Sequence, residues 1–247
     1  MSVGDRLLEL AHTDERAVLF TVVEGPRPGA RLLVLLDRNE TVGDAPAAVA
    51  ALAPTIRHNG LHEVEGSKVF AEVYGPPPRL VVVGAVDVAE ALCSAAGLLG
   101  WHTICVDPRA VFATRERIPS ADELIVAWPD DALERIAPDH STAVVVLTHD
   151  EKFDLPALKV ALRTDAVYVG AIGSRRTQAK RRERMLEEGL TEAELARLSG
   201  PSGLDLGAET PAEQAISILG EALAVRAGRL GTPLKTAAGR IHVEEES

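Results

Sequence analysis

The sequence predicts an α/β protein in which a parallel-sheet domain follows a small α/β N-terminal module. Three observations carry that expectation. From Arg79 onward, short apolar runs alternate with stretches of helical spacing, the order that a parallel sheet with crossover helices requires. A glycine-bearing turn, Gly84-Ala85-Val86-Asp87, joins the first of these runs to the first helical stretch. The break Gly75-Pro76-Pro77-Pro78 separates this part from what precedes it, because its prolines continue neither a helix nor a central strand. The expected layout is a module over 1–75, a proline linker over 76–78, a Rossmann-like domain over 79–231 and an acidic tail over 232–247.

In the module, Ala17–Val23 and Arg31–Leu36 are β-rich runs, and Glu24-Gly25-Pro26-Arg27-Pro28-Gly29 between them reads as a turn. Pro46–Ala53 is alanine-rich and reads as a helix, and Lys68–Tyr74 alternates like a strand. A unit of ~75 residues is marginal alone by surface-to-volume scaling. In the larger domain Leu80–Gly84 is apolar on both faces, as in a covered strand. Asp87–Leu99 follows with helical spacing, then Thr103–Val106 as the second strand. Glu123–Ala127, Val144–Leu147 and Ala166–Gly170 supply three more strands, and Asp131–Ile136, Asp154–Leu162 and Ser174–Glu187 the helices between them. The last helix, Pro211–Ala227, opens on a capping box of Thr210 at the N-cap and Glu213 at the third helical position, with Pro211 at the first.

Composition limits the function classes. The 247 residues are 46% hydrophobic and 26% charged, enough for a sizeable core, but only 3% are aromatic, so aliphatic side chains must fill it. With 26 basic against 37 acidic residues the net charge is −11, which disfavours nucleic acid and anionic membrane as partners. Any anionic ligand must therefore be captured by a local cluster. Cys93 and Cys105 suit neither a disulfide framework nor a zinc site and read as buried apolar residues of a reduced compartment. Without a signal-like N-terminus or an apolar run long enough to span a bilayer, the expected location is cytoplasmic.

Four places carry candidate chemistry. Gly84, Ala85 and Val86 occupy the position of a dinucleotide-binding turn, and Asp107, 23 positions after Gly84, stands where a ribose-binding carboxylate is expected. Val86 replaces a glycine there, and its side chain would obstruct a pyrophosphate. In the second, a strand runs through Gly173 into a helix at Ser174, Arg175, Arg176 and Thr177. Free amides, two hydroxyls and two guanidiniums make an anion site there. Lys180, Arg181, Arg182 and Arg184 read as its solvated continuation. His149, past an apolar strand, is a base, a ligand or a loop-fixing hydrogen bonder, with Asp154 as the N-cap of the next helix. The fourth is the loop from Gly203 through Asp205 to Thr210, whose orphan amides face either a ligand or only the Thr210 cap. Trp101 and Trp128 read as packing residues.

Taken in order, GAVDVAEAL (84–92), VDPR (106–109), ADELIVAWP (121–129), LTHDEKFDLPAL (147–158), YVGAIGSRRT (168–177) and GLDLGAETPAEQAISILGE (203–221) resemble the xanthine dehydrogenase accessory factor family, XdhC/CoxI. The resemblance runs from about Arg79 to Arg226 and implies a Rossmann domain. It also implies a carrier of the molybdenum cofactor, without catalytic residues, that serves a molybdenum hydroxylase apoenzyme and is compatible with a homodimer. Two departures stand out. Val42-Gly43-Asp44-Ala45-Pro46 occupies the place of the family's N-terminal cysteine, and Gly84-Ala85-Val86-Asp87 stands for Gly-Ala-Gly-His. Two other readings remain open: an NAD(P)-dependent oxidoreductase using Asp107 and His149, and a scaffold with a vestigial ligand site.

Overall fold

The computed structural model describes residues 2–13, 15–56, 59–148 and 150–237, and the chain divides into two compact units, Met1–Pro76 with Pro233–Ser247 and Pro77–Thr232. The end of the expected acidic tail, 238–247, lies outside the described residues.

The first unit begins with α1 (Val3–Leu10), a helix that the sequence pattern does not mark. Ser2 caps it by accepting from the Asp5 amide, while the Asp5 carboxylate accepts from the Ser2 amide. Strands β1 (Ala17–Glu24), β2 (Arg31–Leu35) and β3 (Glu40–Gly43) follow, then α2 (Ala47–Leu52), a 3₁₀ turn (Ala53–Thr55), β4 (Gly60–Val64) and β5 (Ser67–Tyr74). The five strands form an antiparallel sheet in the order β3-β2-β1-β5-β4. Strand β1 is apolar at nearly every position because both faces of the sheet are covered. Val18, Phe20 and Val22 pack with Val49, Ala53 and Ile56, and Ala17 and Leu19 pack with Leu10 on the other side. Strands β3 and β4 are not visible in the sequence because their residues are mostly exposed or half-buried, leaving no apolar run to detect.

The second unit contains β6 (Arg79–Val83), α3 (Asp87–Leu98), β7 (His102–Val106), β8 (Glu123–Ile125), α4 (Pro129–Ile136) and β9 (Thr142–Val146). It continues with α5 (Glu151–Arg163), β10 (Tyr168–Ala171), α6 (Arg175–Glu187), α7 (Glu192–Leu195), β11 (Leu198–Ser199) and α8 (Pro211–Arg226). All six strands are parallel, in the order β11-β10-β9-β6-β7-β8. That is the doubly wound Rossmann order, with its reversal between β6 and β9. Helices α3 and α8 cover one face, where Leu80, Val82 and Val145 meet Ala89, Cys93, Ala96, Ala215, Leu219 and Ala222. Those small residues let the two helices lie close on the sheet, which is how an aromatic-poor sequence reaches native packing density. On the other face Val81, Val83, Val144 and Val146 meet Ala132 and Leu133 of α4, Leu158 of α5 and Met185 of α6. Each fully buried Val or Leu contributes about 1.5–3 kcal/mol, so the valine-rich strands carry much of the stability of this unit.

Trp101 packs in the core as expected, whereas Trp128 is 44% exposed and lies 5.4 Å from the Phe153 ring. Both cysteines are buried and free, and burial pushes the Cys93 thiol up to about 12 and Cys105 higher still. No described helix is long and apolar enough to cross a membrane.

Candidate functional site

The carboxyl ends of the parallel strands carry the described parts of the candidate segments, and several side chains there are used differently from what the sequence suggests. At the first turn Gly84 has φ +108, and a Cβ on it would lie 2.7 Å from Thr148 Cγ2. Glycine is therefore required where β6 passes the end of β9. The next amide, Ala85 N–H, donates to Asp107 at 2.9 Å. Asp107 is fully buried and also accepts from the amide and the guanidinium of Arg109. Burial alone would raise its pKa, but Arg109 and the two amides hold it below the usual carboxylate value. Both oxygens of Asp107, the expected ribose carboxylate, are engaged in fastening the turn and Arg109. Val86 caps α3 without a side-chain bond and packs its partly buried side chain on the α3/α8 core.

The second turn is held from beneath by a buried polar chain that spans β9, α5 and α6. Thr148 Oγ1 donates to Asp154, and Arg181 Nη2 donates to the other Asp154 oxygen at 2.6 Å. Arg181 Nη1 reaches the Ile172 carbonyl at 3.1 Å and Gln178 Oε1 at 2.8 Å, while Gln178 Nε2 donates to the Ala171 and Ile172 carbonyls. Two expectations fail here. Asp154 does not cap α5; Asp150 does, accepting from the Lys152 amide at 3.0 Å. Arg181 is not a solvated residue but a buried one, because only a cation can balance the Asp154 carboxylate inside the domain. The sequence does hold a signal for this: Gln178, Arg181 and Met185 recur at spacings of three and four, the spacing of a buried helix face.

Above this support Gly173 takes φ +131 and Ser174 caps α6, its hydroxyl accepting from the Thr177 amide at 3.1 Å and meeting the Thr177 hydroxyl at 2.9 Å. Both hydroxyls are thus engaged in the cap rather than held ready for a ligand. Arg175 and Arg176 are exposed and make no ion pair among the described residues, but they diverge. Arg175 lines a cleft of about 620 Å³ together with Gly173, Ser202, Asp205 and Gln214. Arg176 borders a separate hollow of about 280 Å³ beside Glu151 and Lys180. The two guanidiniums therefore border different hollows rather than one.

The cleft's far wall is the loop between β11 and α8. Gly203, at φ +114, has Ser217 Oγ where its Cβ would stand, and its amide donates to Glu221 at 2.7 Å. Glu221 also accepts from the Tyr168 hydroxyl at 2.5 Å, tying β10, the loop and α8 together, while burial pushes the Tyr168 hydroxyl far above its ordinary pKa. Ser202 Oγ, beside that hydroxyl, is buried without a partner of hydrogen-bond geometry. Thr210 is consumed by the α8 capping box, and the Glu213 carboxylate accepts from the Thr210 and Glu209 amides. Those amides hold the Glu213 pKa below its ordinary value.

Of the sequence candidates, the structure brings Gly173, Arg175 and Asp205 into one cleft; Gly84, Ala85, Val86, Asp107, Ser174, Arg176, Thr177 and Thr210 do not line it. His149 lies outside the described residues. Ser202, Gln214, Tyr168 and Glu221 are not anticipated by the sequence, since they are isolated polar residues whose roles come from the packing of α8. Among the described residues no group of three or more His, Cys, Asp or Glu could hold a metal ion.

The comparisons with known proteins agree with this architecture. A crystal structure described as a xanthine dehydrogenase from Bacillus halodurans superposes with a TM-score of 0.55, covering 96% of this chain and 98% of that one at 20% identity, a likeness of fold. The chain is 30% identical over 165 residues to a probable xanthine dehydrogenase subunit from Bacillus subtilis strain 168, covering 67% of this chain and 48% of that protein. It is 28% identical over 203 residues to the molybdenum cofactor insertion chaperone PaoD of Escherichia coli strain K12, covering 81% of this chain and 56% of that protein. The chain thus spans about half the length of these two relatives. The family model of the XdhC Rossmann domain matches residues 80–222, the same span that forms the six-stranded sheet and its helices, and the chain belongs to that family.

Proposed function

We propose that the protein is a maturation factor for a molybdenum hydroxylase of the xanthine dehydrogenase type and holds the phosphate-bearing pterin of the molybdenum cofactor in the Arg175 cleft. The cofactor is cargo in this reading, and the chemistry it supplies belongs to the enzyme that receives it. One observation carries the proposal: in an acidic protein, a guanidinium without an ion pair among the described residues lies at the amino end of a 13-residue helix and lines a cleft of ligand size.

The residues present fit a phosphate and a ring better than they fit a metal. Arg175 offers a planar pair of donors to a phosphate, and the first amides of α6 add their dipole. The buried Ser202 hydroxyl can complete a hydrogen bond to a polar ring atom. Neither cysteine can reach a ligand, since both are buried in the α3-side core. Recognition through phosphate and ring leaves the metal end free for transfer, as a carrier requires. The names of the Bacillus subtilis and Escherichia coli relatives support the partner class. The oxidoreductase reading loses its ribose carboxylate to the Ala85 amide and Arg109.

The test is calorimetric titration of the purified chain with molybdopterin. Binding to the wild type that falls about tenfold or more in Arg175→Ala supports the proposal, that being the scale of one charge-assisted hydrogen bond. Undiminished binding in the variant would remove it.

A further inference from the structure

We infer that Asp205 reads the amino-pyrimidine edge of the ligand, so that the cleft selects a phosphate-bearing ring system with a 2-amino-4-oxopyrimidine. This rests on the cleft assignment just made and adds to it the ring chemistry and the residue that recognises it.

The cleft is dipolar. Arg175 and Asp205 both line it, both are exposed, and no ion pair joins them or engages either one among the described residues. Opposite charges that line one cleft without pairing offer two complementary contacts, and a ligand that meets both must be anionic at one point and a hydrogen-bond donor at another. A carboxylate has only acceptors, so its natural partner is a pair of parallel N–H donors. A 2-amino-4-oxopyrimidine offers that pair in its ring N–H and the adjacent exocyclic amine. The rest of the lining suits a flat ring: Ile172, Leu204 and Leu206 supply apolar surface, and Leu206 is 58% exposed, which leaves it open to a ring face. The Gln214 side-chain oxygen and the buried Ser202 hydroxyl can serve the remaining ring heteroatoms. Asp205 is placed by its neighbours rather than by its own side chain. Leu204 N–H donates to the Ser217 carbonyl at 3.1 Å, Ser217 Oγ donates to the Leu204 carbonyl at 2.6 Å, and the Leu206 amide folds back onto that same carbonyl.

Pterins and guanines share this edge, and the experiment separates them. The full chain and its Asp205→Asn and Arg175→Ala variants are titrated with neopterin phosphate, guanosine monophosphate and inosine monophosphate, the last lacking the exocyclic amine. Because Asp205 is exposed and its side chain makes no hydrogen bond among the described residues, Asp205→Asn should melt with the wild type. The expected result is binding of neopterin phosphate that weakens about tenfold or more in each variant, with inosine monophosphate weakest in the wild type and insensitive to Asp205→Asn. If the wild type binds neopterin phosphate and Asp205→Asn binds it equally well, the edge-reading role is overturned while the cofactor cleft stands. If guanosine monophosphate alone binds, with the same dependence on Asp205, the edge reading stands and the pterin assignment falls. If none of the three ligands binds, both fall.

Discussion

Arg181 Nη2 lies 2.6 Å from Asp154 Oδ2, with side chains only 6% and 3% exposed, and this ion pair sits directly under the turn that presents Arg175. A buried pair contributes little net stability but is costly to halve, because the surviving charge has no solvent. Arg181→Ala should therefore destabilise the protein by about 3–5 kcal/mol, read as a fall in the denaturant midpoint. Arg182→Ala, which removes an exposed pair with Glu192, should cost less than about 1 kcal/mol. Equal effects of the two substitutions would refute the buried pair.

Gly84 tests the tightness of the first turn. Its φ of +108 is unfavourable for a side chain, and an added Cβ would meet Thr148 Cγ2 at 2.7 Å. Gly84→Ala is expected to cost about 2–4 kcal/mol, combining backbone strain with overpacking. Gly189→Ala, at φ +87 with open space around it, should cost only the strain, about 1–2 kcal/mol. Thermal or urea melts of both variants decide it.

Asp107 separates structure from ligand binding. Asp107→Ala leaves the Ala85 amide and the Arg109 guanidinium without their acceptor, which should cost about 2–4 kcal/mol of stability. Molybdopterin affinity of the folded fraction should not change. A variant of normal stability that has lost ligand affinity would restore Asp107 as a ligand-binding residue.

Acid stability should depend on Asp139. Burial pushes its pKa up, but the Ser141 and Thr142 hydroxyls, the Ser141 amide and Arg79 outweigh this and hold it at about 2, against an ordinary 3.8. A carboxylate with a depressed folded pKa contributes stability that is complete above the unfolded value and disappears as pH falls through the folded one. The wild type should thus lose this contribution between the ordinary value of 3.8 and about 2, and Asp139→Asn should lose less over the same window. Urea midpoints measured across that window check the difference; parallel pH profiles would show that Asp139 does not contribute.

The strand–helix alternation of the larger domain is legible in the sequence because both faces of its sheet are covered, so strands such as Arg79–Val83 read as unbroken apolar runs. Strands β3 and β4 are not, since edge strands with exposed side chains carry no such signal. At the site, composition and turn chemistry locate the glycines and the basic helix start. They do not show which polar groups satisfy one another. Asp107 looks like a ligand carboxylate and is a structural acceptor; Arg181 looks solvated and is buried. Partners distant in sequence contribute to both, since Ala85 and Asp107 lie 22 positions apart and Asp154 and Arg181 lie 27 apart, and such pairs leave no local pattern.

The divergence of the two adjacent arginines gives the sharpest test of the site. Consecutive residues of a helix point about 100° apart, which sends Arg175 and Arg176 in different directions from the first turn of α6. Arg175 lines the larger cleft and Arg176 the hollow beside Glu151 and Lys180. Arg176→Ala should leave molybdopterin affinity within about twofold, since a charge outside the cleft acts only through screened, long-range attraction. Arg175→Ala should lower it about tenfold or more. The pair also controls for charge, because each variant removes one positive charge from the same helix turn. If binding instead fell equally in both alanine variants and was kept by neither Arg175→Lys nor Arg176→Lys, the ligand would bridge the two guanidiniums and the single-arginine cleft would be wrong.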